Sequence, residues 1–300
     1  MLKRVSVSLV KSLLESLVKL PLVVLLFGCF FVSSCSRSSS SEDGIEKPEA
    51  SSTCISEAKL LAQDNLQGIV GGKRVYQDDK DAKTVAMLLT IENKDMGICT
   101  AALISPNVLL TAAHCIKSSA KNAVIFYSAI SCESGFDIIK NAQRVEKTVI
   151  HPEYIPSTET KEGVNDIAVI ILQEKAPADY PIYQIADPDK LTKNDLYFYG
   201  YGVIGTNKNG SGMLRKTKFT EDEYKIEKKN RTIKVTQNNG RGICSGDSGG
   251  PGLVNIDGES QILGVNSYVR GPKSDYCNGE STLMLAHAYK DWLQKIILSN

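Results

Sequence analysis

From Ile69 onward the chain consists of short apolar segments separated by turn-forming residues. β-Branched and aromatic residues dominate these segments, and Gly, Pro, Asn and Asp punctuate them. This pattern predicts an all-β sandwich or barrel set rather than alternating strands and helices. Examples are TVAMLLTI at 84–91, AALI at 101–104, NVLLTAA at 107–113, NAVIFYSAI at 122–130, DIAVIIL at 166–172, DLYFYGYG at 195–202, RTIKVTQ at 231–237 and QILGVNSYV at 261–269.

The end of the chain follows a different period. In LAHAYKDWLQKIIL, residues 285–298, the side chains of Ala288, Trp292 and Ile296 recur at helical spacing and form one stripe. The hydrophobic pattern therefore predicts a mostly-β domain that ends in an α-helix.

The first 34 residues form a leader of a separate kind. Four basic residues and one acidic residue accompany LPLVVLLFGCFFV at 20–32, which contains no charge. A run of this length is too short to span a bilayer comfortably, but it is typical of the core of a secretory signal peptide. We interpret residues 1–34 as a signal peptide and residues 35–68 as a linker and propeptide.

Composition and charge exclude several classes of protein. The 300 residues carry a net charge of +1, and the part after the leader holds 31 basic against 33 acidic residues. That balance provides no basic footprint for nucleic acid, and an apolar content of 42% does not fit a disordered chain. We therefore expect no nucleic-acid partner.

Eight cysteines are the unusual feature of the composition. Val32-Ser33-Ser34-Cys35 resembles a bacterial lipoprotein processing site, and cleavage before Cys35 would leave one lipidated thiol and an even set of six others. A poorer version of the motif ends at Cys29, and its use would leave an odd number. A plain secretory signal cut nearby is the third reading.

Three short segments carry the groups that acyl transfer requires. TAAHC at 111–115 holds His114, NDIAVIIL at 165–172 holds Asp166, and GDSGGP at 246–251 places Ser248 among glycines. A hydroxyl nucleophile, an imidazole that takes its proton and a carboxylate that orients the imidazole together perform this chemistry. Each residue alone has an ordinary structural explanation, but chance matches to GDSGGP in about 300 positions are expected on the order of 10⁻⁵ to 10⁻⁶ times.

These segments, in the order His, Asp, Ser, resemble the trypsin/chymotrypsin family of serine proteases over residues 69 to about 298. The resemblance implies an all-β fold of two six-stranded antiparallel β-barrels with a C-terminal helix, and a protease domain over 69–300. It implies that His114 is the general base, Asp166 its orienting partner and Ser248 the nucleophile. The N–H groups of Gly246 and Ser248 would form the oxyanion hole.

Ile69-Val70-Gly71-Gly72 resembles the mature N-terminus of that family. In the family, a freed amine at this position turns inward and pairs with the Asp before the nucleophile, here Asp247. Because a buried charge needs a partner, Asp247 cannot settle until cleavage releases Ile69, and the chain would be a zymogen. Gly68 precedes the cut where Arg or Lys is commoner, so either the activating protease is of another kind or cleavage occurs elsewhere.

The same resemblance assigns four of the cysteines. It implies a Cys99–Cys115 disulfide that braces the histidine loop and a Cys244–Cys277 disulfide beside the specificity pocket. Cys54 and Cys132 remain, either paired so that they tether the propeptide or as two free thiols. Disulfides on this scale fit an extracytoplasmic compartment.

The resemblance also locates a pocket for the side chain before the scissile bond. Gly242 stands six positions before the nucleophile, where trypsins carry an Asp, so no anion at the base would attract Arg or Lys. Ser267, Tyr268 and Val269 resemble the strand that pairs with substrate backbone. Val269 would narrow the pocket, as in elastases, and favour small apolar side chains.

The second wall of the pocket depends on the spacing near the C-terminus. Counting back from Tyr289 and Trp292 assigns this wall to Ser281. Because the loop from Cys277 to Trp292 is shorter than usual in the family, a one-residue shift would instead place Glu280 in the pocket. That placement would reverse the preference toward basic residues.

We therefore expect a serine endopeptidase made as a zymogen and either secreted, periplasmic or lipid-anchored through Cys35 at the cell envelope. It should need no metal and no organic cofactor. Its expected partners are protein or peptide substrates and an activating protease, its contact with a membrane is confined to the lipid anchor, and the chain is expected to be a monomer. The alternatives are an inactive protease homologue that acts as a secreted binding module and a serine hydrolase of esters or cell-wall peptides.

Overall fold

The computed structural model describes residues 69–75, 82–92, 95–117, 119–126, 142–158, 161–208 and 210–300. The signal peptide predicted for 1–34, the propeptide predicted for 35–68, the lipidation site Cys35 and the pair Cys54 and Cys132 lie outside these ranges. Within the described ranges, no helix has the length and apolar character needed to cross a membrane.

β-Strands account for most of the regular structure. In chain order they are β1 Lys73–Arg74, β2 Ala86–Glu92, β3 Asp95–Ser105, β4 Val108–Thr111, β5 Lys121–Phe126, β6 Ala142–Ile150, β7 Ala168–Leu172, β8 Gln184–Ile185, β9 Leu196–Gly200, β10 Arg215–Phe219, β11 Tyr224–Glu227, β12 Thr232–Gln237, β13 Pro251–Ile256, β14 Glu259–Arg270 and β15 Gly279–Leu285.

The first half of the described chain closes into a six-stranded antiparallel barrel in the order β2, β3, β4, β7, β6, β5. Strand β7 is buried along its whole length, because alternate residues face two different clusters. Ile170 packs with Leu88 and Leu109 in one cluster. Val169 belongs to the other, which continues into the second half through Tyr199.

The second half is a nine-stranded sheet in the order β1, β10, β9, β13, β14, β15, β12, β11, with β8 paired to β14. A 3₁₀ turn at Ala286–Tyr289 then leads into helix α1, Lys290–Leu298. The all-β fold class with its C-terminal helix is confirmed. The buried stripe of this region differs from the expectation: Ala288 is exposed and Leu293 is buried, because the α-helix starts only after the 3₁₀ turn.

Thr100 connects the two halves of the fold beside the GDSGGP turn at 246–251. The Thr100 side chain, fully buried on β3, donates a hydrogen bond to the carbonyl oxygen of Gly246 at 2.9 Å and accepts one from the Tyr201 N–H at 3.2 Å. Its backbone N–H donates to the carbonyl oxygen of Ser248 at 2.8 Å. The barrel therefore holds the turn that carries Ser248.

We expect Thr100→Val to lower the free energy of unfolding by about 1–3 kcal/mol, because it leaves two buried backbone groups without a partner while it preserves the volume of the side chain. Thr236→Val is the matched control, since Thr236 is exposed on β12, and its effect should stay within about 0.5 kcal/mol. Equilibrium denaturation of both variants measures the difference. Equal stabilities would show that the Thr100 hydroxyl contributes nothing.

Candidate active site

His114 lies in a 3₁₀ turn, Ala113–Cys115, directly after β4. The Cys99–Cys115 disulfide ties this turn to β3. Two contacts orient the imidazole toward Asp166: the backbone N–H of His114 donates to Oδ1 at 2.9 Å, and Nδ1 lies 2.7 Å from Oδ2. An ionised carboxylate here accepts a hydrogen bond from Nδ1–H, which leaves the lone pair of the neutral imidazole on Nε2.

Asp166 precedes β7 and is buried, with 4% of its surface exposed. The Ser267 hydroxyl, on β14 of the second half, also donates to its Oδ2. Burial by itself would raise the pKa of Asp166, but the hydrogen bonds and charge of His114 and the Ser267 hydroxyl lower this pKa below its usual range. The carboxylate is therefore ionised at neutral pH and accepts hydrogen bonds from both halves of the fold, from His114 and from Ser267.

Ser248 lies in a turn of the segment between β12 and β13. Its hydroxyl donates to the carbonyl oxygen of Ser267 at 3.4 Å, a long contact. Next to it, the N–H of Gly249 donates to the carbonyl oxygen of Asn266 at 2.7 Å. Ser248 and His114 line the same cavity.

Asp247, the residue before Ser248, is buried beneath the turn. Its carboxylate is fully buried and accepts hydrogen bonds from the N–H of Gly202 at 2.8 Å and the N–H of Cys244 at 2.9 Å. Burial raises the pKa of Asp247 to about 7, while the two N–H groups and the charge of Arg215 oppose that shift. A Cβ at Gly202 would overlap this carboxylate, which explains the glycine.

The turn also presents two backbone N–H groups. Gly246 has a φ of +97°, and a Cβ there would collide with Gly202, so this backbone conformation requires glycine. Within the described residues, no hydrogen bond occupies the N–H of Gly246 or of Ser248. Both donors are therefore available to a ligand oxygen beside the Ser248 hydroxyl.

Ile69 is fully buried and belongs to the apolar core of the second half, together with Phe198 and Ile243. The next residue, Val70, forms an isolated antiparallel bridge with Gly242, whose N–H donates to the carbonyl oxygen of Val70 at 2.7 Å. The Ile69 segment thus contacts the same stretch that leads into Cys244 and Asp247.

A cavity of about 350 Å³ contains the His114 and Ser248 side chains. One wall is the β14 segment from Ser267 to Val269, and the other includes the residues around Cys244, which the Cys244–Cys277 disulfide joins to the start of β15. Its lining residues are His114, Tyr154, Pro156, Ser157, Ile243, Cys244, Ser245, Ser248, Ser267, Tyr268, Val269 and Tyr276.

The pairing of β14 with β15 places Ser281 and Glu280, the two candidates for the second wall of the pocket, on opposite faces of β15. Ser281 pairs with Val269 and is fully buried, whereas Glu280 pairs with Arg270. The Glu280 carboxylate lies 3.3 Å from the Lys234 ammonium, and 54% of the Glu280 side chain is exposed. Neither Ser281 nor Gly242 lines the cavity, but Ser281 pairs with the lining residue Val269, and Gly242 precedes the lining residue Ile243 in the chain.

Several residues of the site carry no sequence signal. Tyr154 enters the cavity from the segment before the Asp166 strand, and the Tyr276 hydroxyl lies 3.3 Å from the Ser245 hydroxyl at its opposite edge. Gln237, buried at the end of β12, bonds to the cavity wall. Their positions follow from loop packing and strand register, which no short motif encodes.

Other clusters in the described chain offer less chemistry. Cys99, His114 and Cys115 are the described group whose potential metal-ligating atoms lie within mutual reach, but the two sulfur atoms are joined in a disulfide. A larger cavity of about 520 Å³ lies around Glu153 and Arg231 and contains none of the three acyl-transfer groups.

Comparison with known proteins agrees with this geometry. The family model for Trypsin matches residues 69–293, which is well over half of the chain. Chymotrypsin-like elastase family member 1 of Canis lupus familiaris is 26% identical over 246 residues, covering 77% of this chain and 93% of the relative. Neutrophil elastase of Mus musculus is 22% identical over 218 residues, covering 71% and 78%. The chain therefore belongs to the trypsin family, and it is a serine endopeptidase that acts on protein substrates.

Proposed function

We propose that this endopeptidase hydrolyses peptide bonds with His114, Asp166 and Ser248. One observation carries the proposal: the buried Asp166 carboxylate binds both the backbone N–H and the Nδ1 of a histidine that shares a cavity with Ser248. An imidazole held in this way presents Nε2 as a base to a neighbouring hydroxyl. The inactive-homologue alternative has no comparable support, since all three groups are present.

The proposed reaction begins when the Ser248 oxygen attacks the substrate carbonyl and its proton passes to Nε2 of His114. Asp166 stabilises the imidazolium, and the N–H groups of Gly246 and Ser248 stabilise the oxyanion. His114 then protonates the leaving amine as the acyl–Ser248 ester forms. A water molecule, deprotonated by His114, hydrolyses the ester and restores the hydroxyl. The long Ser248–Ser267 contact leaves the hydroxyl able to turn toward the base.

We propose further that the enzyme is made as a zymogen and activated by cleavage before Ile69. A fully buried carboxylate at Asp247 is costly without a cation, and a freed α-ammonium at Ile69 would supply one. The bridge between Val70 and Gly242 supports this, because it connects the new terminus to the wall of the cavity.

A small apolar side chain is the proposed preference before the scissile bond. Val269 lines the cavity with a β-branched side chain, and Glu280 points to Lys234 on the outside of the sheet. Without a described acidic side chain on the cavity surface, Arg and Lys would lose hydration with no compensating partner. The names of the two mammalian relatives, both elastases, agree with this preference.

The proposed location is outside the cytoplasm. Two disulfides in the described chain fit an oxidising compartment, and the leader of residues 1–34 would direct export. Lipidation at Cys35, an unidentified activating protease and a monomeric state stay predictions from the sequence.

A fluorophosphonate probe should label Ser248 in the cleaved protein, and Ser248→Ala should abolish labelling.

Asp166→Asn should reduce kcat by a factor of about 10⁴, the magnitude known for this change in the family, because the amide no longer selects the correct imidazole tautomer. Active-site labelling and peptide hydrolysis measure these effects. Absence of labelling in folded, cleaved wild-type protein would support the binding-module alternative instead.

The uncleaved chain should lose stability relative to the cleaved chain as the pH rises from about 4 to about 7. Burial raises the pKa of Asp247 from 3.8 to about 7, so between these pH values the folded uncleaved chain binds a proton that the unfolded chain has lost. The free energy of unfolding therefore falls as the pH rises through this range. In the cleaved chain the α-ammonium, with an ordinary pKa of about 8, pairs with the anion.

Thermal unfolding of two Ser248→Ala proteins tests this difference, one uncleaved and one refolded from a chain that starts at Ile69. Asp247→Asn should remove the pH dependence of the difference. Parallel pH–stability curves for the uncleaved and cleaved Ser248→Ala proteins that keep Asp247 would contradict the ion pair. N-terminal sequencing of the active enzyme should begin at Ile69.

Substrates with alanine or valine before the scissile bond should have kcat/KM values at least about tenfold above those with phenylalanine or arginine. Val269→Gly should raise kcat/KM for phenylalanine by about tenfold, because it removes the side chain that narrows the cavity. Glu280→Gln is the matched control and should leave the profile unchanged. A cleavage profile over a peptide library measures both, and loss of arginine cleavage in Glu280→Gln would establish the opposite preference.

A further inference from the structure

Gln237 is a buried amide that the proposed reaction does not use. It is the last residue of β12, pairs with Gly279 on β15 and is 1% exposed. An amide in such a position requires hydrogen-bond partners, because burying it unpaired is unfavourable. Those partners determine what the side chain does.

The Gln237 amide connects two segments beside the cavity. Its Nε2 donates to the carbonyl oxygen of Ile243 at 2.9 Å and to that of Cys277 at 2.7 Å, and its Oε1 accepts from the N–H of Ile243 at 3.1 Å. Ile243 lines the cavity, and Cys277 is the disulfide partner of the lining residue Cys244. One side chain therefore connects the lining residue Ile243 to the segment that carries Cys277.

The Gln237 amide also occupies the space next to Gly242. A Cβ added to Gly242 would overlap Oε1 and Cδ of Gln237. The amide thus occupies the volume into which a side chain at 242 would project. Both N–H hydrogens of the Gln237 amide are donated, and its oxygen accepts one hydrogen bond. The space next to Gly242 therefore holds a neutral amide whose donors are all paired.

We propose that Gln237 is a specificity-determining positioning residue that sets the depth and the neutrality of the pocket for the side chain before the scissile bond. This inference rests on the proposed function, since it takes the 350 Å³ cavity as the pocket for that side chain. Val269 limits the width of the pocket, and Gln237 limits its depth by holding Ile243 and Cys277 in place.

The proposal predicts which side chains the pocket accepts. A charged side chain would find no carboxylate, ammonium or guanidinium among the lining residues, and the Gln237 amide has no free N–H left to offer, so the charge would be desolvated without compensation. A long aliphatic side chain would reach the segment that Gln237 supports, whereas alanine or valine would end before it. Short uncharged side chains are therefore the substrate class.

Gln237→Ala and Gln237→Asn test the proposal in the activated full enzyme. Truncation to alanine should raise the ratio of kcat/KM for leucine to kcat/KM for alanine by about tenfold, chiefly through a lower KM for leucine. Asparagine, which keeps the amide but shortens it, should raise this ratio by a smaller factor. If Gln237→Ala fails to fold, Gln237→Asn alone tests the proposal.

Thr236→Ala is the matched control, because Thr236 lies next to Gln237 on β12 but is exposed. It should leave the leucine-to-alanine ratio unchanged. The rate of Ser248 labelling by a small fluorophosphonate should be similar in all variants, since the acyl-transfer groups are untouched. If Gln237 had a purely structural role, its substitution would lower kcat/KM for all substrates by the same factor and leave the leucine-to-alanine ratio constant.

The outcomes separate this inference from the proposed function. Wild-type enzyme that neither labels at Ser248 nor cleaves peptides would refute the proposed function. Active wild-type enzyme whose leucine-to-alanine ratio stays constant in both folded Gln237 variants would overturn the role of Gln237 alone. A raised ratio in either variant, with Thr236→Ala unchanged, supports it.

Discussion

The Asp247 carboxylate has no contact with solvent, and the turn around it is shaped by that burial. Two backbone N–H groups, from Gly202 and Cys244, donate to it, and glycines leave the space that it fills. Burying a carboxylate is unfavourable unless hydrogen bonds and a cation compensate. Because Cys244 lines the cavity and Asp247 directly precedes Ser248, the hydrogen bonds of this carboxylate connect the cavity wall to the turn that carries the proposed nucleophile.

The site is assembled across two halves of the fold, so its geometry depends on contacts between them. Asp166 comes from the first barrel yet accepts a hydrogen bond from Ser267 on the second sheet. Thr100 of the barrel in turn bonds to both carbonyl oxygens that flank Asp247 in the turn, those of Gly246 and Ser248. Buried, saturated hydrogen bonds of this kind limit relative movement of the halves, which keeps the imidazole and the hydroxyl within one cavity.

The hydrophobic pattern predicted the buried strands well and the amphipathic ones poorly. The segments at 166–172 and 231–237 correspond to β7 and β12, since both are rich in β-branched residues. Strands β6 and β10 were not among the apolar segments that the pattern identified: β6 contains Arg144, Glu146 and Lys147, and β10 contains Arg215, Lys216 and Lys218. These strands are stabilised by pairing with distant partners, and a local pattern contains little of that information.

By itself, the sequence determined the fold class and the chemical groups, because His114, Asp166 and Ser248 stand in short segments whose residue types and order are distinctive. Only the tertiary structure decided where Glu280 points and what lies beneath Gly242. The first depends on the register between β14 and β15, in which a shift of one residue exchanges the two faces of the strand. The second depends on Gln237, whose amide spans the 40 residues to Cys277 by a hydrogen bond that exists only after the sheet has formed.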